Sequence, residues 1–150
     1  MDGSIAKIFT SFIDVPDEIA TAIYFAGCSV RCPGCHNKQY WERDSGKLMS
    51  DDSIMQIIKD NPLTSYVAFL GGEPTDQLPF LLHLCQRVSQ ETDKQIALYT
   101  GREFEILPQE LLDYPSLIVC GPYRQELHQA GWPASANQRI FKKRDHVWTV

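Results

Sequence analysis

Short apolar runs alternate along this chain with stretches of helical spacing, and most of the runs stop at a glycine or a proline. Ile5 to Ile13 is moderately apolar and reads as a first strand or an irregular arm, followed by a polar turn at Asp14 to Glu18. Ala22 to Ala26 reads as a strand that carries the next loop to the edge of a sheet. Lys38 to Lys47 is aromatic and charged, with a turn expected at Asp44-Ser45-Gly46. Ser50 is then suited to cap a helix whose first turn holds Asp51 and Asp52, and whose apolar face is Ile54, Ile57 and Ile58. Asn61-Pro62 ends it.

The second half repeats one pattern. Tyr66 to Leu70 is an apolar run stopped by Gly71-Gly72-Glu73-Pro74, and Leu78, Leu81, Leu82, Cys85 and Val88 follow at helical spacing. Gln95 to Tyr99 stops at Thr100-Gly101, a short helix is expected over Pro108 to Tyr114, and Ser116 to Cys120 stops at Gly121-Pro122. Strands alternating with helices predict an α/β fold with a parallel sheet whose functional loops share one edge. Ile140 to Val150 reads as a small C-terminal hairpin with its turn near Lys143 to Asp145. The 150 residues are too few for a closed eight-fold barrel of roughly 250. An open, partial barrel in one domain spanning 1–150 fits the length, and no repeat or linker divides the chain.

Composition narrows the function. The apolar fraction of 43% and the charged fraction of 22% belong to an ordinary globular chain. With 14 basic against 19 acidic residues the net charge is -5, which argues against nucleic acid or an anionic membrane as a partner. The N-terminus has no basic start leading into an apolar segment, and no run approaches the roughly 18 apolar residues of a membrane span, so a cytoplasmic location is expected. Five cysteines make a poor disulfide framework in a reducing compartment. Metal or redox chemistry is the better expectation.

Three of those cysteines fall within eight residues, as Cys28-x3-Cys32-x2-Cys35. Four chemistries share this spacing. Cys32-Pro-Gly-Cys35-His36 matches a haem attachment pattern, which usually accompanies export. Cys32-Pro-Gly-Cys35 resembles a redox pair, but leaves Cys28 without a role. A zinc site would take Cys28, Cys32, Cys35 and His36, although neighbouring side chains point apart in an extended backbone and no second C-x-x-C knuckle follows. An iron-sulfur cluster held by three cysteines would leave one iron open for chemistry.

The triplet after one strand, with Gly71-Gly72-Glu73-Pro74 after a later one, resembles the radical S-adenosylmethionine superfamily. Within it, Gly27-Cys28 to Asn37, Thr100-Gly101, Gly121-Pro122-Tyr123 and Ser135-Ala136-Asn137-Gln138-Arg139 are similar to the activating proteins of anaerobic ribonucleoside-triphosphate reductases, over nearly the whole chain. The resemblance implies a shortened, open (β/α) barrel of the radical S-adenosylmethionine type. It implies a 4Fe-4S cluster on Cys28, Cys32 and Cys35, with S-adenosylmethionine on the fourth iron and its methionine end against Gly71, Gly72 and Glu73. One electron would cleave the cofactor, and the resulting 5'-deoxyadenosyl radical would take hydrogen from a backbone glycine of the large reductase subunit. An external one-electron reductant is implied as a second partner.

Weaker candidates complete the expectation. Tyr24 or Phe25 would flank the adenine, though an aromatic in a strand is more often core, and Thr100 would lie near the cofactor. Cys120 stands where family members commonly carry Asp, and with Asn137 and Gln138 it is a candidate partner-facing position. No catalytic residue beyond the cluster ligands is assigned. Cys85 reads as a buried small hydrophobe, and His36 either packs on the cysteine loop or is an exposed turn residue. The other readings are a radical enzyme acting on a different glycyl-radical enzyme or peptide, and a zinc-binding interaction module.

Overall fold

A computed structural model of the protein describes residues 1–35 and 38–150. Eight strands form one sheet: β1 (Asp2–Ser11), β2 (Ala20–Phe25), β3 (Lys47–Ser50), β4 (Tyr66–Gly71), β5 (Gln95–Thr100), β6 (Leu117–Cys120), β7 (Arg139–Arg144) and β8 (Val147–Thr149). Among the described residues three α-helices accompany them, α1 (Asp51–Lys59), α2 (Leu78–Glu91) and α3 (Gln109–Leu112). The sheet order is β3-β1-β2-β4-β5-β6-β7-β8.

The sheet is mixed, which corrects the expectation of a parallel one. Only β2, β4, β5 and β6 run parallel to their neighbours within that set. β1 is antiparallel to β2, because the loop over 12–19 is too short for a parallel crossover of a dozen or more residues. β3 pairs antiparallel with the outer edge of β1, from Asp2↔Ser50 to Ile5↔Lys47. Its four residues show no clean alternation, with Lys47 and Leu48 exposed and Met49 and Ser50 half-buried, so no strand pattern was visible there. The C-terminal hairpin forms, one residue earlier than its pattern, from β7 and β8. Asp145 and His146 make its turn with φ of 51° and 64°, the left-handed pair that a two-residue hairpin connection requires.

Strand alternation sorts side chains onto two unlike faces. Ile23 and Phe25, Val67 and Phe69, Ile96 and Leu98, and Ile118 and Cys120 point to one face. There they meet Ile54, Met55 and Ile58 of α1, Leu81, Leu84, Cys85 and Val88 of α2, and Leu111 and Leu112 of α3. Ser50 caps α1 by accepting the Ser53 amide at 3.1 Å, as its position before Asp51-Asp52 suggested. The other face carries Ala20, Ala22, Ala68 and Ala97, with Tyr24 and Tyr99 between them. Among the described residues none of α1, α2 and α3 packs there; Val15, Tyr40 and Trp132 do. Among the described residues no helix is long and apolar enough to cross a membrane.

Candidate functional site

The four parallel strands all end at one edge, and the loop leaving each contributes to a single cavity of about 260 Å³ on the face opposite α1, α2 and α3. Loops beyond the carboxyl ends of parallel strands are the usual place for a ligand in an open α/β sheet. Cys28, Cys32 and Cys35 line this cavity together with Gly71, Gly72 and Glu73, across more than 35 residues of sequence. Leu70 and Val119 supply an apolar floor and Trp41, Tyr99, Tyr123 and Trp132 aromatic walls.

Backbone bonds shape the cysteine loop before any side chain acts. Gly27 and Cys28 donate their amides to the carbonyls of Tyr40 and Trp41, at 2.7 and 2.8 Å, so the segment after the cysteines closes back on its start. Arg31 (φ 49°) and Gly34 (φ 77°) take left-handed conformations, and the Cys35 amide closes a tight turn on the Cys32 carbonyl at 3.1 Å. Two sulfurs receive amide donors: Tyr123 N–H to Cys32 Sγ at 3.2 Å and Arg31 N–H to Cys28 Sγ at 3.5 Å. Burial pushes the Cys28 and Cys32 thiols up, so a cationic metal centre is what would hold them as thiolates in this setting. His36, weighed as a zinc ligand, and Asn37 lie outside the described residues.

The donor set fits an iron-sulfur cluster. The three cysteines border one volume, as thiolates that each hold a different iron must, and amide donors to sulfur are a recognised means of tuning such clusters.

The glycine loop has a packing reason as well as a place in the cavity. Gly71 has φ of 111°, and a Cβ on it would lie 2.6 Å from the Phe25 nitrogen. A Cβ on Gly72 would collide with the Gly27 carbonyl oxygen. The absence of both side chains lets Gly72 N–H reach the Phe25 carbonyl at 2.9 Å and Glu73 N–H the Gly27 carbonyl at 2.7 Å. The loop is thereby stitched to the root of the cysteine loop.

The profile of the 4Fe-4S single cluster domain family matches residues 19–141. The chain belongs to this family. The anaerobic ribonucleoside-triphosphate reductase-activating protein of Haemophilus influenzae is 32% identical over 132 residues, covering 80% of this chain and 85% of that protein. Its counterpart from Enterobacteria phage T4 is 29% identical over 136 residues, covering 84% and 85%. A pyruvate formate-lyase-activating enzyme of Clostridium pasteurianum is 30% identical over 109 residues, covering 67% of this chain and 44% of its own length. The crystal structure of QueE from Escherichia coli shares the fold, with a TM-score of 0.58 at 20% identity over 67% of this chain and 53% of that one.

Against this family background, the remaining candidate residues separate into distinct settings. Glu73 is 1% exposed and its carboxylate points into the protein. It accepts from Thr75 N–H (3.1 Å), the Thr75 hydroxyl (2.6 Å), the Thr100 hydroxyl (2.7 Å) and Gly101 N–H (2.7 Å). Thr100 lines the cavity with its hydroxyl committed to Glu73. Tyr24 lies outside the cavity lining: its hydroxyl donates to both Asp14 carboxylate oxygens at 3.2 Å and its ring stacks on Phe9. Phe25 faces the helices. Cys120, a candidate for facing a partner, is fully buried on the helix side with its thiol against the Arg139 carbonyl at 3.6 Å, and it presents no surface to a second protein.

Asn137 and Gln138, named with Cys120 as candidate partner-facing positions, clamp the end of β6. Their amide groups donate to the Pro122 and Gly121 carbonyls at 2.8 and 3.1 Å, and Gln138 also lines the cavity. Arg139 pairs with Glu103 and Glu105. Sequence reasoning missed Trp41, Tyr99, Tyr123 and Trp132 as wall residues. Only Tyr123, inside the Gly121-Pro122-Tyr123 motif, carried a signal. Tyr99 also holds the far end of the cavity, donating its hydroxyl to the Asp14 carbonyl while accepting the Trp132 indole N–H at 2.8 Å.

Proposed function

We propose that this chain is a radical S-adenosylmethionine activase that installs a glycyl radical on an anaerobic ribonucleoside-triphosphate reductase. The reading rests on one observation above the others: three closely spaced cysteines and the Gly71-Gly72-Glu73 loop border the same cavity. The matched relatives are activating proteins aligned over most of both chains. Bound there, a 4Fe-4S cluster and S-adenosylmethionine supply the one-electron chemistry that leaves a radical on a backbone glycine of the reductase.

The chain's own residues do the holding and shaping. Cys28, Cys32 and Cys35 would hold the cluster, and the amides of Tyr123 and Arg31, which donate to the Cys32 and Cys28 sulfurs, would support two of its ligands. Gly71 and Gly72 would offer bare backbone to the cofactor, while Glu73 keeps that loop in register with Thr100 and Gly101. Leu70, Val119 and Trp132, which line the cavity, would exclude water from a bound cofactor. The sheet is an open, shortened barrel of the radical S-adenosylmethionine type in a single domain. Its uncovered side admits a segment of a large protein substrate where a closed barrel would enclose a metabolite.

The large glycyl-radical subunit is the substrate and a cytoplasmic one-electron donor the reductant; nucleic acid and membrane have no part. The likeness to a pyruvate formate-lyase-activating enzyme favours a second reading, in which another glycyl-radical enzyme is the target. Anaerobic reconstitution with iron and sulfide, then reduction and electron paramagnetic resonance, tests the cluster. A reduced-cluster signal that changes on addition of S-adenosylmethionine is expected. A colourless protein that binds zinc and ignores the cofactor would overturn the reading. Glycyl-radical yield on the reductase against other glycyl-radical enzymes then decides the target.

A further inference from the structure

Ser29, directly after the first cysteine, is exposed and belongs to neither apolar cluster, yet it is among the most firmly held residues of its loop. Both of its donors go to one carboxylate 47 residues away: Ser29 N–H to Asp76 Oδ2 and the Ser29 hydroxyl to Asp76 Oδ1, each at 2.7 Å. Asp76 Oδ1 also takes Arg102 Nη2 at 2.7 Å, and that same Nη2 lies 2.9 Å from the Ser29 hydroxyl oxygen. Arg102 Nε donates to the Thr75 hydroxyl oxygen at 2.9 Å, and that hydroxyl donates onward to Glu73. Arg43 Nη2 holds the Asp76 carbonyl at 3.2 Å.

These bonds form one unbroken chain from Cys28 through Ser29, Asp76, Arg102, Thr75 and Glu73 to Thr100 and Gly101. It joins the cysteine loop, the glycine loop and the loop after β5. The Asp76 side chain is 16% exposed and that of Arg102 35%, so the charged bonds are partly shielded from water. The sheet core has no need of the link, because both apolar clusters close without it.

We propose that Asp76 is a positioning residue: through Ser29 it fixes the Cys28 sulfur relative to the Gly71-Gly72-Glu73 loop, with Arg102 holding Asp76 in place. The inference rests on the cluster reading above and adds to it a residue outside the cysteine and glycine motifs. Supporting groups that orient metal ligands typically change metal affinity or activity roughly 10- to 100-fold when lost.

The test uses the reconstituted holoprotein with Asp76→Ala, Asp76→Asn and, as a distant control, Asp52→Ala. Three quantities are read: melting temperature, the rate of iron loss to a ferrous chelator, and the S-adenosylmethionine concentration at which the reduced-cluster signal changes. Asp76→Ala is expected to melt within the range of the parent and the control. It should lose iron faster and need roughly tenfold or more cofactor for the spectral change. Asp76→Asn, which keeps an acceptor for Ser29, should fall between.

Equal iron loss and an equal cofactor midpoint in Asp76→Ala and the parent would overturn the inference. So would a parallel collapse of melting temperature in both Asp76 variants, which would make Asp76 a folding residue. A parent protein that takes up no iron would instead overturn the cluster reading itself. The two failures are therefore told apart by the parent alone.

Discussion

The two faces of the central sheet are built from alternate residues of the same strands and do opposite things. On the helix side, Phe25, Phe69, Leu98 and Ile118 are large, fully buried and covered by α1, α2 and α3. On the other side the same strands present Ala22, Ala68 and Ala97, and beyond them Leu70, Tyr99 and Val119 line the cavity toward the strand ends. The five cysteines divide along this line. Cys28, Cys32 and Cys35 border the open-side cavity, while Cys85 and Cys120 are sealed among the helix-side residues. One face is covered by the helices, and the other carries the cavity at its strand ends.

Exchanging the character of the two sets of cysteines gives the largest expected effect. Cys28→Ala, Cys32→Ala and Cys35→Ala should each abolish glycyl-radical formation, read by electron paramagnetic resonance of the reductase after incubation with the activase and cofactor. Iron per chain should fall in step. Full activity in any one of the three would remove that residue from the ligand set.

Next in size is a helix-side cavity. Ile118 is fully buried, so Ile118→Ala should cost about 2–5 kcal/mol of unfolding free energy in the iron-free protein, measured by denaturant titration. Its strand neighbour Val119 faces the opposite way and lines the cavity. Val119→Phe should leave the denaturant midpoint nearly in place and weaken S-adenosylmethionine binding by roughly 10-fold or more, because the added ring occupies ligand space. If both changes acted mainly on stability, the two faces would not be functionally distinct.

Much of this division was legible in the sequence, and the part that was not has a physical reason. The runs ending at Gly71, Gly101 and Gly121 announce strands whose loops share an edge, because apolar runs and turn residues are local signals. The cysteine spacing announces a metal centre for the same reason. The position of β3 was silent, since a four-residue edge strand is set by its partner β1 and not by its own pattern. The Ser29–Asp76–Arg102 chain was silent too: its bonds cross 47 and 26 residues, and no spacing rule reaches that far. Asn137 and Gln138 were visible as a motif, but their role as clamps on Gly121 and Pro122 depends on the antiparallel pairing of β6 with β7.

A smaller effect is expected where the faces meet at the loops. Glu73→Ala removes the acceptor for four donors, two of them backbone amides, in a site 1% exposed. Leaving such groups unpaired costs about 1–3 kcal/mol each where water cannot reach them, and the opened cavity limits the loss by admitting water. Stability should drop modestly and cofactor binding should weaken with it, whereas Glu73→Gln should retain more of both. A Glu73→Ala protein that binds the cofactor like the parent would mean the glycine loop holds its shape through backbone bonds alone.

The smallest effect belongs to the sealed thiol. Burial pushes Cys85 from 9.0 up to about 12, so the folded chain keeps it protonated where an unfolded chain would not. The sign follows from linkage: this group takes nothing from stability below pH 9, and stability declines as pH rises from there toward 12, since only the unfolded state releases the proton. At pH 8 iodoacetamide should leave Cys85 unlabelled in the native protein and label it after denaturation, as peptide mass analysis would show. Cys85→Ala should cost about 1 kcal/mol and leave cluster loading and glycyl-radical yield unchanged. Loss of the cluster in that variant would mean that the helix side supplies more than packing, and the separation of the two faces would have to be redrawn.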